Sequence, residues 1–215
     1  MTTSINTKVD GLFIGRVQSP WPGRAPSAIN KYPVSGPRLL TLNGFEGDEQ
    51  ADPRYHGGPD KAVHHYPADH YPFWIEQHGK NSKFRAGGFG ENVSTTGITE
   101  EIVCIGDVFS IGKAKLQLSQ GRQPCWKLNV HSGIENLSHQ VMQTKYTGWY
   151  YRVVEEGCVE PGDSLRLIHR NNPTLTVKRV SDARFSPRKD LALAKVLAKL
   201  PDLAQSWREV FAKLV

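Results

Sequence analysis

Along residues 113–120 apolar and polar side chains alternate without a break, with Ala114, Leu116 and Leu118 on one face and Lys113, Lys115, Gln117 and Ser119 on the other. A period of two marks a strand with one face buried. Residues 164–167 repeat the pattern, with Leu165 and Leu167 pointing one way. Each region follows a Gly-Asp pair, Gly106-Asp107 and Gly162-Asp163, which reads as a turn feeding a strand. Two stretches shift to a helical period. Tyr71, Trp74, Ile75 and His78 fall at i, i+3, i+4 and i+7, with Pro72 placed where only a first turn tolerates it. Residues 135–145 form the second candidate helix.

All 20 glycines lie between Gly11 and Gly162, so the composition changes sharply near Asn171. Beyond that point the apolar spacing is helical throughout. A short helix is predicted over 176–183. A second starts at Ser186-Pro187, a capping serine with proline at the first helical position, and carries Leu193, Leu197 and Leu200 on one face. A third, capped by Asp202, presents Leu203, Trp207, Val210, Phe211 and Leu214. The fold class that follows is mainly β (α+β). Residues 1–170 form a barrel or sandwich of short strands, and residues 171–215 form a three-helix module, too small to stand alone and therefore docked on the β domain.

At 215 residues the chain can bury a full core without staples. Three cysteines, no Cys-x-x-Cys pair and a polar first ten residues point to a reducing interior, and no apolar run approaches the roughly 20 residues that span a bilayer. A soluble, cytoplasmic protein is expected. The net charge of +6 favours anionic partners. The lysines and arginines are dispersed and no nucleic-acid signature accompanies them, so a phosphorylated small molecule fits the charge better than DNA or RNA.

Of the three cysteines, Cys125 is the reactive candidate, in Ser119-Gln120-Gly121-Arg122-Gln123-Pro124-Cys125-Trp126-Lys127-Leu128-Asn129. This run leaves the alternating strand and enters a proline-bent turn. The thiolate is the nucleophilic and metal-ligating form of cysteine, and nearby cations such as Arg122 and Lys127 favour it. Cys104, in an apolar run, and Cys158, beside Gly157, read as small buried hydrophobes. His56-Gly57-Gly58-Pro59-Asp60-Lys61 sets a histidine and a lysine around two glycines whose N–H groups can approach an anion. Gly87-Gly88-Phe89-Gly90-Glu91-Asn92 ends in an amide that either meets a ligand or caps its own backbone. His64, His65, His70 and His78 crowd one region but lack zinc-ligand spacing, and adjacent His64 and His65 read as one core and one surface residue. No Gly-x-Ser-x-Gly elbow is present. Cys125 with His56 or His131 remains open as a nucleophilic dyad, and Cys125 beside an arginine also suits a persulfide carrier.

Taken in order, Gly44-Phe45-Glu46-Gly47-Asp48-Glu49-Gln50, the His56 to Val63 run, Phe89-Gly90-Glu91-Asn92 and Gln123-Pro124-Cys125-Trp126-Lys127-Leu128 resemble the MOSC domain, named for the C-terminal domain of molybdenum cofactor sulfurase. Within that family the chain is similar to the YiiM-like bacterial group linked to resistance against 6-N-hydroxylaminopurine. Its tail, with Val180-Ser181-Asp182 and Gln205-Ser206-Trp207, is similar to that group's three-helix domain.

The resemblance implies a MOSC-type β-barrel that binds the molybdenum cofactor (molybdopterin). Cys125 would be the metal ligand and catalytic residue, and His56, Gly57, Gly58, Lys61, Asn92 and Arg122 would lie on the cofactor side. It implies a reductase of N-hydroxylated bases or related small molecules. The chain carries no flavin or nicotinamide fingerprint, so electrons would come from a separate electron-donor reductase. Cofactor or persulfide carriage, a non-enzymatic barrel binding nucleic acid or protein, and a homodimer stand as alternatives to be weighed beside this. Trp126 is bulkier than the tyrosine of the family pattern and would narrow the pocket mouth.

Overall fold

The computed structural model describes residues 4–215, the side chains of residues 54 and 55 excepted. The strands are β1 (Asn6–Lys8), β2 (Gly11–Ile14), β3 (Tyr32–Pro33), β4 (Arg38–Thr41), β5 (Gly44–Phe45), β6 (Val63–Pro67), β7 (Val93–Thr95), β8 (Val108–Ile111), β9 (Ala114–Gly121), β10 (Trp149–Glu155), β11 (Gly157–Val159) and β12 (Ser164–His169). The helices are α1 (Pro53–His56), α2 (Tyr71–His78), α3 (Trp126–Ser132), α4 (Leu137–Thr144), α5 (Val177–Phe185), α6 (Leu191–Ala198) and α7 (Gln205–Ala212). None is long and apolar enough to cross a membrane.

The main sheet runs β1-β12-β8-β9-β10-β6-β7-β2-β3, and a small sheet runs β11-β4-β5. Strands β6 and β7 pair in parallel and the other pairings are antiparallel. Among the described residues no ladder joins β1 to β3, so the expected barrel is an open mixed sheet in an α+β fold.

The alternation in β9 works as its pattern demands, with Ala114, Leu116 and Leu118 buried and Lys115 and Gln117 only partly so. Strand β6 is buried at all five positions. His64 and His65 therefore both lie inside, at 4% and 0% exposure, and the expectation of one surface histidine does not hold. The reason is that β6 is an interior strand covered on both faces. Cys104 is buried, whereas Cys158 is exposed on β11, in register with exposed Leu39, because the small sheet leaves one face to solvent.

The helical module shares the sheet's core: Val177, Val180, Leu197, Trp207 and Phe211 pack in one cluster with Leu116, Leu118 and Trp149. Thr176 caps α5, accepting from Arg179 N at 3.2 Å. Helix α6 begins at Leu191 under an Asp190 cap rather than at Ser186-Pro187, since Ser186 closes α5. Helix α7 begins after Ala204, not at Asp202, whose carboxylate instead receives Gln117 and Asn172.

Candidate functional site

Strand β9 ends at Gly121, and the next four residues carry Arg122 and Cys125 to the start of α3. Cys125 is extended (φ −125°, ψ 174°) and its carbonyl accepts from Leu128 N at 3.0 Å, so the expected turn is also a helix start. Opposite lies the end of α1, which puts His56 Nε2 3.9 Å from Cys125 Sγ. Ser119 Oγ, within 2.6 Å of Asp60 O and 3.0 Å of Tyr150 O, ties the turn bearing Lys61 to β9 and β10.

These elements enclose a cleft of about 680 Å³, counted out to solvent, lined by Lys31, Asp48, His56, Lys61, His64, Asn92, Arg122, Cys125, Lys127 and Tyr150 among others. The lining is cationic. Burial, then Lys127, Arg122 and Lys61, hold His56 down at about 4, so its imidazole is neutral at pH 7 and its protonated form is disfavoured. Burial pulls the Lys61 ammonium below its usual range, and that of Lys31 as well, although Lys31 pairs with Asp48. Lys127 Nζ donates to Pro26 O at 2.8 Å. Burial, then the charge of Arg122, keep His64 far below the ordinary histidine value.

Two buried polar atoms on side chains of this wall make no hydrogen bond, Arg122 Nη1 and His64 Nε2. Leaving such an atom unmatched costs roughly 1–3 kcal/mol, more when it is charged. An acceptor oxygen on an anionic ligand would satisfy Arg122 Nη1, and a donor on the ligand would satisfy His64 Nε2, because the neutral ring already donates its other N–H to the Gly90 carbonyl. The donor set, one thiol, neutral imidazoles and several cations, thus fits a cofactor that brings its own soft sulfurs and a phosphate.

Five of the seven candidate residues line the cleft: His56, Lys61, Asn92, Arg122 and Cys125. Gly57 and Gly58 do not, and their roles are backbone ones. A Cβ on Gly57 would sit 2.3 Å from Gln50 Oε1, and Gly58 (φ +88°) opens the 3-10 turn Pro59–Lys61. Asn92 is a brace with its amide in full use: Oδ1 accepts from His64 N at 3.0 Å, and Nδ2 donates to Phe13 O at 3.1 Å and Asp48 Oδ2 at 2.8 Å. Of the two dyad histidines, His131 lines a separate, smaller cavity with Lys83 and Arg85, which leaves His56 beside the thiol.

The other histidines scatter. His65 bonds Thr95 and Tyr151, His70 meets Glu100 at 2.7 Å, and His78 meets Gln140 at 2.7 Å. Among the described residues no group of three or more His, Cys, Asp or Glu is placed to hold a metal.

Sequence reasoning missed Lys31, Tyr150 and the organising role of two acids. Asp48 accepts from Gly15 N and Asn92 and pairs with Lys31. Glu91, fully buried, accepts from Tyr71 Oη at 2.6 Å, Gly87 N at 2.7 Å and Phe89 N at 3.0 Å and so shapes the glycine loop. The available signal was a carboxylate inside a glycine-rich turn, which is weak.

The family pattern described as MOSC domain matches residues 52–166, which include His56, Lys61, Asn92, Arg122 and Cys125, and the chain belongs to that family. The pattern described as YiiM-like, 3-alpha helix domain matches residues 175–215, the helical module. The chain is 44% identical to YflK of Bacillus subtilis over 187 residues, 87% of this chain and 84% of that one. It is 38% identical to YiiM of Escherichia coli over 203 residues, 94% and 90% of the two chains. It also shares 38% identity over 167 residues with a protein of Gibberella moniliformis named reductase, covering 75% of this chain and 30% of that protein. The crystal structure of YiiM from Geobacillus stearothermophilus superposes with a TM-score of 0.82 at 34% identity, over 96% of this chain and 98% of that one.

Proposed function

We propose that this chain is an oxidoreductase that holds the molybdenum cofactor in the Cys125 cleft and reduces N-hydroxylated bases or related small molecules, drawing electrons from a separate reductase. The observation that carries the reading is the union, in one cationic cleft, of a thiol 3.9 Å from a neutral imidazole with two unmatched buried polar atoms. Membership of the MOSC family and the relative named reductase support it, the latter through the 30% of its length that this chain matches.

Cys125 would ligate molybdenum as the thiolate, its proton being released on metal binding, with the neutral His56 Nε2 3.9 Å from its sulfur. Arg122, Lys61 and Lys127 would meet the cofactor's anionic oxygens and His64 Nε2 would accept from a donor on it, while Asp48 and Asn92 hold the loops that carry them. When bound, the cofactor supplies two-electron oxygen-transfer chemistry. Overall, reduction of an N-hydroxyl group consumes two electrons and two protons and releases the amine and water. The open side of the cleft admits the substrate to Cys125.

The test is elemental and pterin analysis of wild type and Cys125→Ala after expression in a cofactor-producing host. Wild type is expected to carry both molybdenum and pterin, and the variant to lose most of its metal. Equal metal in both removes the proposed ligand. The same thiol–imidazole contact would also serve a persulfide carrier. A stable added sulfur on Cys125 by mass spectrometry, with no turnover of hydroxylamino compounds, selects that reading instead.

A further inference from the structure

Lys31 lines the Cys125 cleft and also the separate cavity that holds His131, about 390 Å³ counted out to solvent. Phe13 and Pro33, register partners across β2 and β3, give this cavity its apolar side, and the loop 82–88 gives it the rest. That loop is a fixed frame. Lys83 N donates to Asn81 Oδ1 at 2.9 Å, Phe84 N to Asn81 O at 3.0 Å and Gly88 N to Arg85 O at 2.8 Å. Asn81 Nδ2 donates to Ser132 O at 2.9 Å, which ties the loop to the end of α3 that carries His131. Gly88 admits no side chain, since a Cβ there would sit 1.8 Å from Lys83 O.

The charge in this frame is one-sided. Lys31, Lys83 and Arg85 line the cavity, and no Asp or Glu does. Among the described residues neither Lys83 nor Arg85 pairs with a carboxylate. The two acids that shape the surrounding loops are already engaged: Asp48 holds Lys31, and the buried Glu91 carboxylate accepts from Tyr71, Gly87 N and Phe89 N. His131 registers the resulting field. Burial, then Lys83 and Arg122, hold its ring down at about 4 even though it donates to the Gly88 carbonyl. Cations gathered at a concave, partly apolar surface without acids repel one another and concentrate anions.

We propose that this cavity is a second binding site, for a compact oxyanion such as a phosphate group, held by Arg85 and Lys83 with the Ser82 hydroxyl as a neutral donor. A guanidinium fork matches two oxygens of such a group and an ammonium adds a point charge. The site is distinct from the Cys125 cleft and does not depend on what that cleft binds.

The experiment is calorimetric titration of the full chain with inorganic phosphate at constant ionic strength, with molybdenum and pterin measured on the same samples. Because the Cys125 cleft is also cationic, Arg122→Met serves to separate the two. Wild type is expected to bind phosphate at a site that Arg122→Met leaves within about twofold. Lys83 is half-buried and Arg85 exposed, so Lys83→Met and Arg85→Met leave the core intact. Each is expected to weaken that site about fivefold, with Arg85→Lys in between and cofactor content unchanged. Glycerol 3-phosphate as a second probe tells a free ion from a phosphate monoester: binding of phosphate alone supports the first, and binding of both supports the second. No phosphate binding by wild type, or binding lost in Arg122→Met yet within about twofold of wild type in both methionine variants of the loop, overturns the proposal. Loss of molybdenum and pterin from Lys83→Met and Arg85→Met would make the cavity an arm of the cofactor cleft and overturn it equally.

Discussion

Asp107, wholly buried in the turn before β8, is held by Arg170 at the end of β12. Arg170 Nε donates to Oδ1 at 2.8 Å and Nη2 to Oδ2 at 2.6 Å, while Cys104 N donates to Oδ2 at 2.8 Å. The chain then crosses to the helical module through Ile105 N to Leu175 O and Val177 N to Val103 O, each 2.9 Å, so this ion pair fastens the module where it leaves the sheet. Arg170→Ala would leave a buried carboxylate with a single backbone donor. Removing one partner of a buried pair costs about 3–5 kcal/mol. The Arg170 side chain is 18% exposed, so water can enter the vacated space and the low end, about 3 kcal/mol, applies. That is a large share of a typical domain stability of roughly 5–15 kcal/mol. Urea unfolding at pH 7 should show this loss. Arg170→Lys should lose less, because it keeps the charge but not the two-pronged geometry. Asp107→Ala with Arg170→Ala should lose less than the sum of the two singles. A loss below about 1 kcal/mol, the scale of a surface pair, or strict additivity in the cycle, would refute the claim that this contact anchors the module.

Two further perturbations address packing and charge. A Cβ on Gly121 would lie 2.7 Å from Ser181 Oγ and 3.1 Å from Trp207 Cη2, so Gly121→Ala should cost about 1–3 kcal/mol in thermal unfolding. Ser181→Ala should restore part of it, since Ser181 Oγ is itself without a partner, and an unchanged melting temperature in Gly121→Ala would contradict the close helix-to-strand contact. His65, fully buried, is held at about 3 by burial, below the usual 6.5. As pH falls from 6.5 towards 3 the unfolded chain takes up this proton first, so stability is fully present above 6.5 and drops below it. One such group contributes at most about 1.4 kcal/mol per pH unit. Urea midpoints between pH 7 and 4 should fall less steeply in His65→Gln than in wild type, and parallel slopes would rule the histidine out as the cause.

What the sequence made legible was what local pattern controls. The alternation of 113–120 became β9, the 71–78 periodicity became α2, and the short helix expected over 176–183 became α5, because each signal lies within the element it defines. The misses were decided by distant partners. Asp202 looks like a cap, but Gln117 and Asn172 claim its carboxylate across the fold. Ser186-Pro187 looks like a start, but the Ser186 N–H is taken by Asp182 O at the end of α5. Helix α3 was hidden because Cys125, a poor capping residue, begins it without a side-chain cap. At the site, His56, Lys61, Arg122 and Cys125 stood in quotable motifs. Lys31, Tyr150 and Arg184 reach it only through sheet pairing and helix docking, which no local spacing encodes.

What sets Arg122 and Arg184 apart from the other inward cations is the cleft that each of them borders. Lys31 is matched with Asp48, Arg152 with Asp60 at 2.7 Å and Arg170 with Asp107, whereas Arg38 and Arg208 also carry a buried unmatched Nε but line none of the clefts described above. Arg122 is 6% exposed with Nη1 unmatched, and Arg184 has a buried Nε unmatched and its charge disfavoured by burial. A chain shaped for stability alone would gain by replacing either with an apolar side chain of similar volume. Both instead border clefts that share Cys125, one on the sheet side and one on the helical side. Unmatched positive charge at two walls around one thiol is the arrangement expected of a site whose anionic and acceptor groups arrive with its ligands.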